Sequence, residues 1–329
     1  GFHSMPNTER QLTMARAFVF PGQGSQGVGM GRELAESFPA ARYIFQEVDD
    51  ALGQDLSRLM FEGPEEDLVL TENAQPALMA VSLATVRAIE EQGGFALSST
   101  GDYVAGHSLG EYSALAAMDA FSAGDAAKLL RLRGQAMQRA VPVGEGAMSA
   151  ILGLDLETVR AVADEAARGE VCEIANDNAP GQVVVSGNAG AVERAIEIAK
   201  QKGAKRAVML NVSAPFHCKL MQPAAEEMER ALGEVEIHAP NLPVVSNVTA
   251  YALESPDEIR ARLVEQIVHP VRWRESVEYM RDKGVGRLYE VGHGKVLSGL
   301  SKRIDRKLTG MPVGTPGDVE NFLNELADA

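Results

Sequence analysis

The sequence is poor in cysteine, in aromatic side chains and in long apolar runs. Its 329 residues include two cysteines, Cys172 and Cys218, which show neither a C-x-x-C pair nor metal-ligand spacing. We therefore expect reduced thiols and a cytoplasmic protein. No apolar run is long enough to cross a bilayer, and no signal-peptide pattern opens the chain, so a membrane role is not predicted.

Positive charge is also scarce, because 31 Lys and Arg face 46 Asp and Glu for a net charge of -15. This balance disfavours nonspecific binding to nucleic acid or to an anionic membrane. One segment, 270–310, departs from it with ten basic and five acidic residues. The segment could dock an acidic partner, or it could be the solvated faces of two helices.

The length and a hydrophobic content of 45% suit either one large domain with an insertion or two domains. We predict that residues 1–14 are a tag or extension, with Met5 or Met14 as the native start. Alternating strand and helix patterns predict an α/β fold with a mostly parallel sheet, formed by residues 15–142 and 213–329. Between them, residues 143–212 follow the order β-α-β-β-α-β, which predicts an inserted ferredoxin-like small domain.

The pentapeptide Gly106–Gly110, with the sequence G-H-S-L-G, lies between a short apolar strand and an Ala-rich helix. Strand, tight turn and helix form the context in which G-x-S-x-G indicates a nucleophile elbow. Such a turn would expose the hydroxyl of Ser108 at a helix N-terminus, where free N–H groups can bind an oxyanion. An ordinary turn with glycines beside a serine is the alternative.

A second glycine-rich stretch, 21–31, directly follows the first apolar strand. It lacks the Lys-Ser/Thr of a phosphate-binding P-loop, and its spacing is not G-x-G-x-x-G. We predict instead that this loop places a main-chain N–H near the elbow.

A serine hydroxyl needs a base to act as a nucleophile near neutral pH. His217, in a short loop beside Pro215, is the best candidate by elimination, although it could equally be a packed or capping histidine. No Asp or Glu stands out as a third triad member, so a main-chain carbonyl could orient the imidazole. Arg133 lies on an otherwise apolar helix face and either binds a carboxylate or covers apolar surface with its stem.

Taken together, these motifs resemble one family, the malonyl-CoA:acyl carrier protein transacylases of bacterial fatty acid synthesis. More loosely, they are similar to the acyltransferase domains of polyketide synthases. The similarity runs from about Ala17 to Leu308 and rests on segments that occur in the family's order. These segments are 20–26, 106–112, 131–134, 176–182, 214–217, Gln266 with 270–273, and 289–292.

The resemblance implies an α/β-hydrolase-like core with a ferredoxin-like insertion, and it implies roles for single residues. Ser108 matches the nucleophile, His217 the general base, Gln23 and Leu109 the oxyanion hole, Arg133 the partner of the malonyl carboxylate, and Gln266 the carbonyl that orients the histidine. Phe216 matches the signature for malonyl rather than methylmalonyl substrates. The chain departs from the family pattern at His293, where proline is expected, and in its N-terminal extension.

The implied reaction is ping-pong transfer of a malonyl group from malonyl-CoA to the phosphopantetheine thiol of acyl carrier protein, with no cofactor and no metal. The basic segment 270–310 is a candidate for the surface that meets the acidic carrier protein. Two alternatives stay open at this point. One is a serine esterase or thioesterase on the same core, and the other is a non-catalytic acyl-CoA-binding relative.

Overall fold

The structure is a computed structural model, and it describes residues 15–329. The strands are β1 (Ala15–Phe20), β2 (Tyr103–Gly106), β3 (Gly146–Leu152), β4 (Cys172–Ala179), β5 (Gln182–Asn188), β6 (Arg206–Met209), β7 (Val244–Val245), β8 (Ala252–Leu253), β9 (Val285–Val291) and β10 (Thr309–Val313). The helices are α1 (Arg32–Ser37), α2 (Pro39–Leu52), α3 (Leu56–Glu62), α4 (Glu65–Leu68), α5 (Thr71–Gly93), α6 (Gly110–Ala117), α7 (Ala123–Ala140), α8 (Leu156–Ala167), α9 (Ala189–Gln201), α10 (Gln222–Gly233), α11 (Pro256–Gln266), α12 (Trp273–Asp282), α13 (Val296–Ile304) and α14 (Pro316–Asp328).

The larger sheet has six strands in the order β10-β9-β1-β2-β7-β8. All neighbours are parallel except β7 and β8, so the predicted mostly parallel α/β sheet is confirmed. The apolar run Phe18-Val19-Phe20 in β1 is buried because helices cover both faces of the sheet. The carboxyl ends of β1, β2 and β7 lie at one edge, where the chain turns into loops that carry polar residues.

The long helix α5 begins six residues before Ala77, where the sequence pattern predicts the helix to start. In the sequence, the stretch 71–76 predicts a cap and turn, because Pro76 fits the first turn of a following helix. Instead, α5 begins at Thr71 and Pro76 lies inside it. Proline has no N–H for the carbonyl of Glu72, and that carbonyl accepts a hydrogen bond from Arg131 Nε at 2.7 Å instead. A side chain from α7 therefore satisfies the group that proline leaves unpaired.

Residues 146–209 form a second, antiparallel sheet in the order β4-β5-β3-β6. The helices α8 and α9 pack on it through a separate apolar cluster that includes Val159, Val162 and Ala195. The composition of 176–181, N-D-N-A-P-G, predicts a turn, but β4 continues to Ala179 with two irregularities in its register. Those bulges accommodate the polar residues that suggested a turn.

The sequence pattern predicts a last helix over 295–308, but two further elements, β10 and α14, follow it. The strand β10 contains Gly310 and Pro312 and lies at the edge of the sheet, where proline is tolerated. Its composition hides it from a search for apolar strands. Thr315 and Asp318 then form a capping box that begins α14.

Candidate active site

Ser108 lies in a strained turn between β2 and α6. Its φ angle is +55°, a left-handed conformation that non-glycine residues seldom adopt. The two flanking glycines are required by close packing rather than by torsion. A Cβ on Gly106 would collide with the main chain of Gly110, and a Cβ on Gly110 would collide with the carbonyl of Phe20. The G-x-S-x-G spacing therefore lets the turn close tightly against β1.

The hydroxyl of Ser108 contacts the imidazole of His217. Oγ lies 2.7 Å from His217 Nε2, and Nδ1 of the same ring lies 2.9 Å from the main-chain oxygen of Gln266. Since a carbonyl can only accept a hydrogen bond, Nδ1 carries the proton and Nε2 of the neutral ring is free to accept one. The carbonyl of Gln266 thus takes the place that an acidic residue takes in a Ser-His-Asp triad.

The surroundings of His217 keep its ring neutral. Burial lowers its pKa to about 3, and the nearby Arg133 guanidinium adds to this effect because it repels a second positive charge. The side chain is 3% exposed, and the residue adopts a φ angle of +59°. A neutral imidazole in hydrogen-bond reach of a hydroxyl is the arrangement that general base catalysis requires.

Arg133 reaches the same point from α7 and is 1% exposed. One guanidinium nitrogen, Nη2, donates to Ser108 Oγ at 3.1 Å and to Gln266 Oε1 at 2.9 Å, while Nη1 donates to Gln75 Oε1 at 2.7 Å. Among the described residues, Nε has no acceptor, and no carboxylate forms an ion pair with the guanidinium. Burial lowers the pKa of Arg133, because the charged guanidinium loses its hydration and its hydrogen-bond partners are neutral.

A cavity of about 750 Å³ opens beside these side chains, and Gln23, Leu109 and Phe216 also line it. Within residues 15–329, the main-chain N–H groups of Gln23 and Leu109 have no hydrogen-bond acceptor. The loop that bears Gln23 lies directly against the elbow, because a Cβ on Gly22 would collide with the carbonyl of His107. Two free donors, a hydroxyl, a base and a guanidinium therefore share one cavity.

Two buried residues of this site, Asn247 and Glu111, were not singled out from the sequence. The side chain of Asn247 accepts from the main-chain N–H of Ser108 at 2.7 Å, and its main-chain N–H donates to the carboxylate of Glu111. One feature of the sequence could have identified Asn247, namely its position just after the short apolar strand β7. Polar site residues often lie at the carboxyl ends of parallel strands. Glu111 follows the G-x-S-x-G motif directly.

The remaining histidines near the cavity have other contacts. His107 Nε2 lies 2.8 Å from Asn178 Oδ1. His293, the departure from the family pattern, places Nδ1 2.7 Å from the carbonyl oxygen of Ser25 in the glycine-rich loop. Both cysteines are buried free thiols. Among the described residues, no cluster of His, Cys, Asp and Glu could hold a metal ion.

Four of the ten basic residues in the segment 270–310 form ion pairs. Its arginines at 272, 274, 281 and 287 pair with carboxylates, including Asp177 and Glu325. Lys302, Arg303, Arg306 and Lys307 are exposed and make no ion pair within 15–329. Four unpaired positive charges thus cluster at the end of α13 and in the turn after it, while Lys283 and Lys295 are exposed and without an ion pair elsewhere in the described segment. No helix in 15–329 has both the length and the apolar character needed to cross a membrane.

Residues 17–310 match the family model for the acyl transferase domain. The malonyl CoA-acyl carrier protein transacylase of Bacillus subtilis is 48% identical over 313 residues, which are 95% of this chain and 97% of that protein. The protein of the same name from Escherichia coli K12 is 49% identical over 300 residues, covering 91% of this chain and 96% of the relative.

Solved structures show the same similarity. The acyl-carrier-protein-S-malonyltransferase of Bartonella henselae has a TM-score of 0.93 and 52% identity, covering 95% of this chain and all of that one. A type II PKS acyl-carrier protein has been solved in complex with its malonyl-transacylase, and the match has a TM-score of 0.91 at 46% identity. It covers 94% of this chain and 99% of that chain.

Proposed function

The chain belongs to the acyl transferase domain family, and from this premise we propose that it transfers malonyl groups from malonyl-CoA to acyl carrier protein for fatty acid synthesis. The observation that carries the proposal is the meeting of three groups in one cavity. Ser108 Oγ contacts both a neutral imidazole at 2.7 Å and a buried guanidinium at 3.1 Å. A nucleophile, its base and a carboxylate receptor are thus within reach of one small acyl group.

In the first half-reaction Ser108 Oγ attacks the thioester carbonyl of malonyl-CoA. His217 Nε2 takes the hydroxyl proton, and the carbonyl oxygen becomes an oxyanion that the N–H groups of Gln23 and Leu109 bind. The C–S bond then breaks, the imidazolium returns the proton to the leaving CoA sulfur, and a malonyl-serine ester remains. Loss of one oxyanion donor costs about 10²–10³ in rate.

In the second half-reaction the phosphopantetheine thiol of the carrier protein attacks the same ester carbonyl. His217 takes the thiol proton and delivers it to Ser108 Oγ as the ester C–O bond breaks. The carrier leaves as a malonyl thioester, and the enzyme returns to its starting state. These steps use only side chains, main-chain N–H groups and two substrates, so we propose a reaction without cofactor or metal.

Arg133 selects the acyl group. A guanidinium held by Gln75, Gln266 and Ser108 has no carboxylate of its own, so it can exchange a neutral contact for the malonyl carboxylate. The planar fork allows two parallel hydrogen bonds, which an acetyl group lacks. Gln266 serves two purposes, because its carbonyl orients His217 while its amide holds Arg133 and donates to the carbonyl of Ser108 at 2.9 Å.

The carrier protein would dock on the exposed basic residues near the end of α13. The support is electrostatic, because Lys302, Arg303, Arg306 and Lys307 form an exposed cluster for which no carboxylate partner is found within 15–329. An acidic carrier protein is attracted to this part of an otherwise acidic surface.

The division of the chain also remains a proposal. We assign 15–142 and 213–329 to an α/β-hydrolase-like catalytic domain and 143–212 to a ferredoxin-like insertion. The strand order of the small sheet and its separate apolar cluster support this division. The active-site cavity touches both parts, with Ser108 on one side and Met148 on the other. Two buried free thiols support a cytoplasmic location.

A radiolabelled malonyl-CoA assay with purified protein tests the function. Transfer to holo-acyl carrier protein should far exceed hydrolysis, and apo-carrier protein, which lacks the phosphopantetheine thiol, should receive no label. Hydrolysis that is as fast with apo-carrier as transfer is with holo-carrier would identify a thioesterase instead. If no CoA is released with either form of the carrier protein, the chain would be a non-catalytic relative.

A further inference from the structure

A side chain that follows the neighbouring strand β7 bridges the strained turn at Ser108, whose carbonyl also accepts from Gln266. Asn247, which follows β7, accepts from the main-chain N–H of Ser108 through Oδ1 and donates to the carbonyl of Gly106 through Nδ2, each at 2.7 Å. The amide therefore bridges the turn from the end of β2 to the serine. Asn247 is completely buried, so no water can replace these bonds.

Glu111 in turn fixes Asn247. Its carboxylate, 4% exposed, accepts the main-chain N–H of Asn247. Glu111 lies in the first turn of α6, three residues after Ser108. The elbow segment thus contacts Asn247 at three points, namely the carbonyl of Gly106, the N–H of Ser108 and the carboxylate of Glu111.

This bonding pattern also decides which N–H groups face the cavity. Because Asn247 Oδ1 occupies the N–H of Ser108, that donor is not available to an oxyanion. The next N–H along the chain, that of Leu109, is free among the described residues. A rotation of the turn at Ser108 would move both the Leu109 donor and the Oγ atom.

We propose that Asn247, locked by the Glu111 carboxylate, is the positioning residue that sets the left-handed turn at Ser108. It directs Oγ toward His217 Nε2 and the N–H of Leu109 into the cavity. Neither Asn247 nor Glu111 touches the reacting atoms in this scheme. The proposal rests on the function proposed above, since it assumes that Ser108 is the acylated residue.

The test compares single-turnover formation of malonyl-serine in five variants and the wild type, with rates normalised to the folded fraction. Asn247→Ala removes both side-chain bonds, and an error of about 1 Å at a reacting atom costs about 10² in rate. We expect that loss in the acylation rate constant, with the apparent malonyl-CoA dissociation constant within about threefold of wild type. Glu111→Ala should have a similar effect, whereas Glu111→Gln keeps an acceptor for the Asn247 N–H and should restore most of the rate.

Two further measurements separate positioning from a general structural role. If Glu111 acts on Ser108 through Asn247, Glu111→Ala with Asn247→Ala should be no slower than Asn247→Ala alone. Phenylmethylsulfonyl fluoride reacts with Ser108 but needs no carboxylate receptor. In the slow variants, its rate of modification should fall by about the same factor as the rate of acylation by malonyl-CoA. Asn241→Ala is the matched control. It removes an exposed side-chain amide that donates a hydrogen bond to Asp119 at 2.8 Å, and it should leave acylation unchanged.

The proposal is overturned if folded Asn247→Ala acylates at the wild-type rate, or if the double variant multiplies the two losses. If Asn247→Ala does not fold, Asn247→Asp replaces it. That variant keeps the acceptor for Ser108 but presents an oxygen to the carbonyl of Gly106, so acylation should again fall, and a wild-type rate would overturn the proposal. Absence of malonyl-serine in the wild type would instead contradict the proposed function.

Discussion

The imidazole of His217 hydrogen-bonds through Nδ1 to the main-chain carbonyl oxygen of Gln266, at 2.9 Å. This single contact accounts for the absence of an acidic triad residue. A carbonyl fixes the tautomer and orientation of the ring as a carboxylate would, but it adds no negative charge to stabilise an imidazolium. The pKa of His217 is accordingly lowered to about 3, mainly by burial and further by Arg133.

The first prediction concerns the pH dependence of acylation. A base with a pKa of about 3 is neutral throughout the range above it, so His217 should cause no inflection between pH 5 and pH 8. The measurement is the rate constant of malonyl-serine formation in Glu111→Gln, which removes the buried carboxyl whose pKa is raised to about 7. An inflection near pH 6.5 would show that His217 titrates as an ordinary histidine.

The second prediction concerns stability. Burial raises the pKa of Glu111 to about 7 from its usual 4.5. The folded state therefore favours the protonated carboxyl. The contribution of Glu111 to stability is fully present below pH 4.5 and is lost as the pH rises through 7. Relative to Glu111→Gln, the wild type should lose about 2 kcal/mol of unfolding free energy between pH 5.5 and pH 8. Urea unfolding curves of both proteins measure this, and a pH-independent difference would contradict it.

The sequence was sufficient for the parts of the site that local motifs encode. G-H-S-L-G predicted the turn at Ser108, and the oddity of a charge on an apolar helix face marked Arg133. It was not sufficient for Asn247, because the partner of that side chain depends on which strand lies beside β2. From the residues alone, His217 was found by elimination, since nothing local distinguishes a base from a packed histidine.

The same limit applies to the fold. The apolar run in β1 and the alternation of strands and helices predicted a parallel sheet, which the structure has. Pro76 was misleading because its effect on α5 is cancelled by Arg131, a residue more than fifty positions later that takes the freed carbonyl of Glu72. The edge strand β10, with Gly310 and Pro312, is stabilised by pairing with β9 rather than by its own sequence.

The third prediction concerns acyl selectivity. Arg133→Ala removes the only proposed partner of the malonyl carboxylate, and truncating one side of a buried charged pair costs about 2–5 kcal/mol. We expect kcat/KM for malonyl-CoA to fall about 10²-fold or more, with a much smaller change for acetyl-CoA. Parallel assays with the two acyl donors measure the ratio. Equal losses for both would remove the carboxylate role from Arg133.

The fourth prediction concerns the carrier surface. Reversing the exposed charges of Lys302 and Arg303 to Glu should raise the apparent KM for acyl carrier protein at low salt and leave the first half-reaction with malonyl-CoA unchanged. Lys128→Glu with Lys202→Glu reverses two exposed charges outside the segment 270–310 and serves as the control. If both double variants keep the wild-type KM, the carrier protein docks elsewhere.

The central claim is that Ser108 holds the malonyl group between the two substrates. Intact-protein mass spectrometry after a brief exposure to malonyl-CoA tests it most directly. The wild type and Ser99→Ala, which lacks an exposed hydroxyl, should each gain one malonyl group, and holo-acyl carrier protein should remove it. Ser108→Ala should gain none. A malonyl adduct that persists in Ser108→Ala would contradict the account.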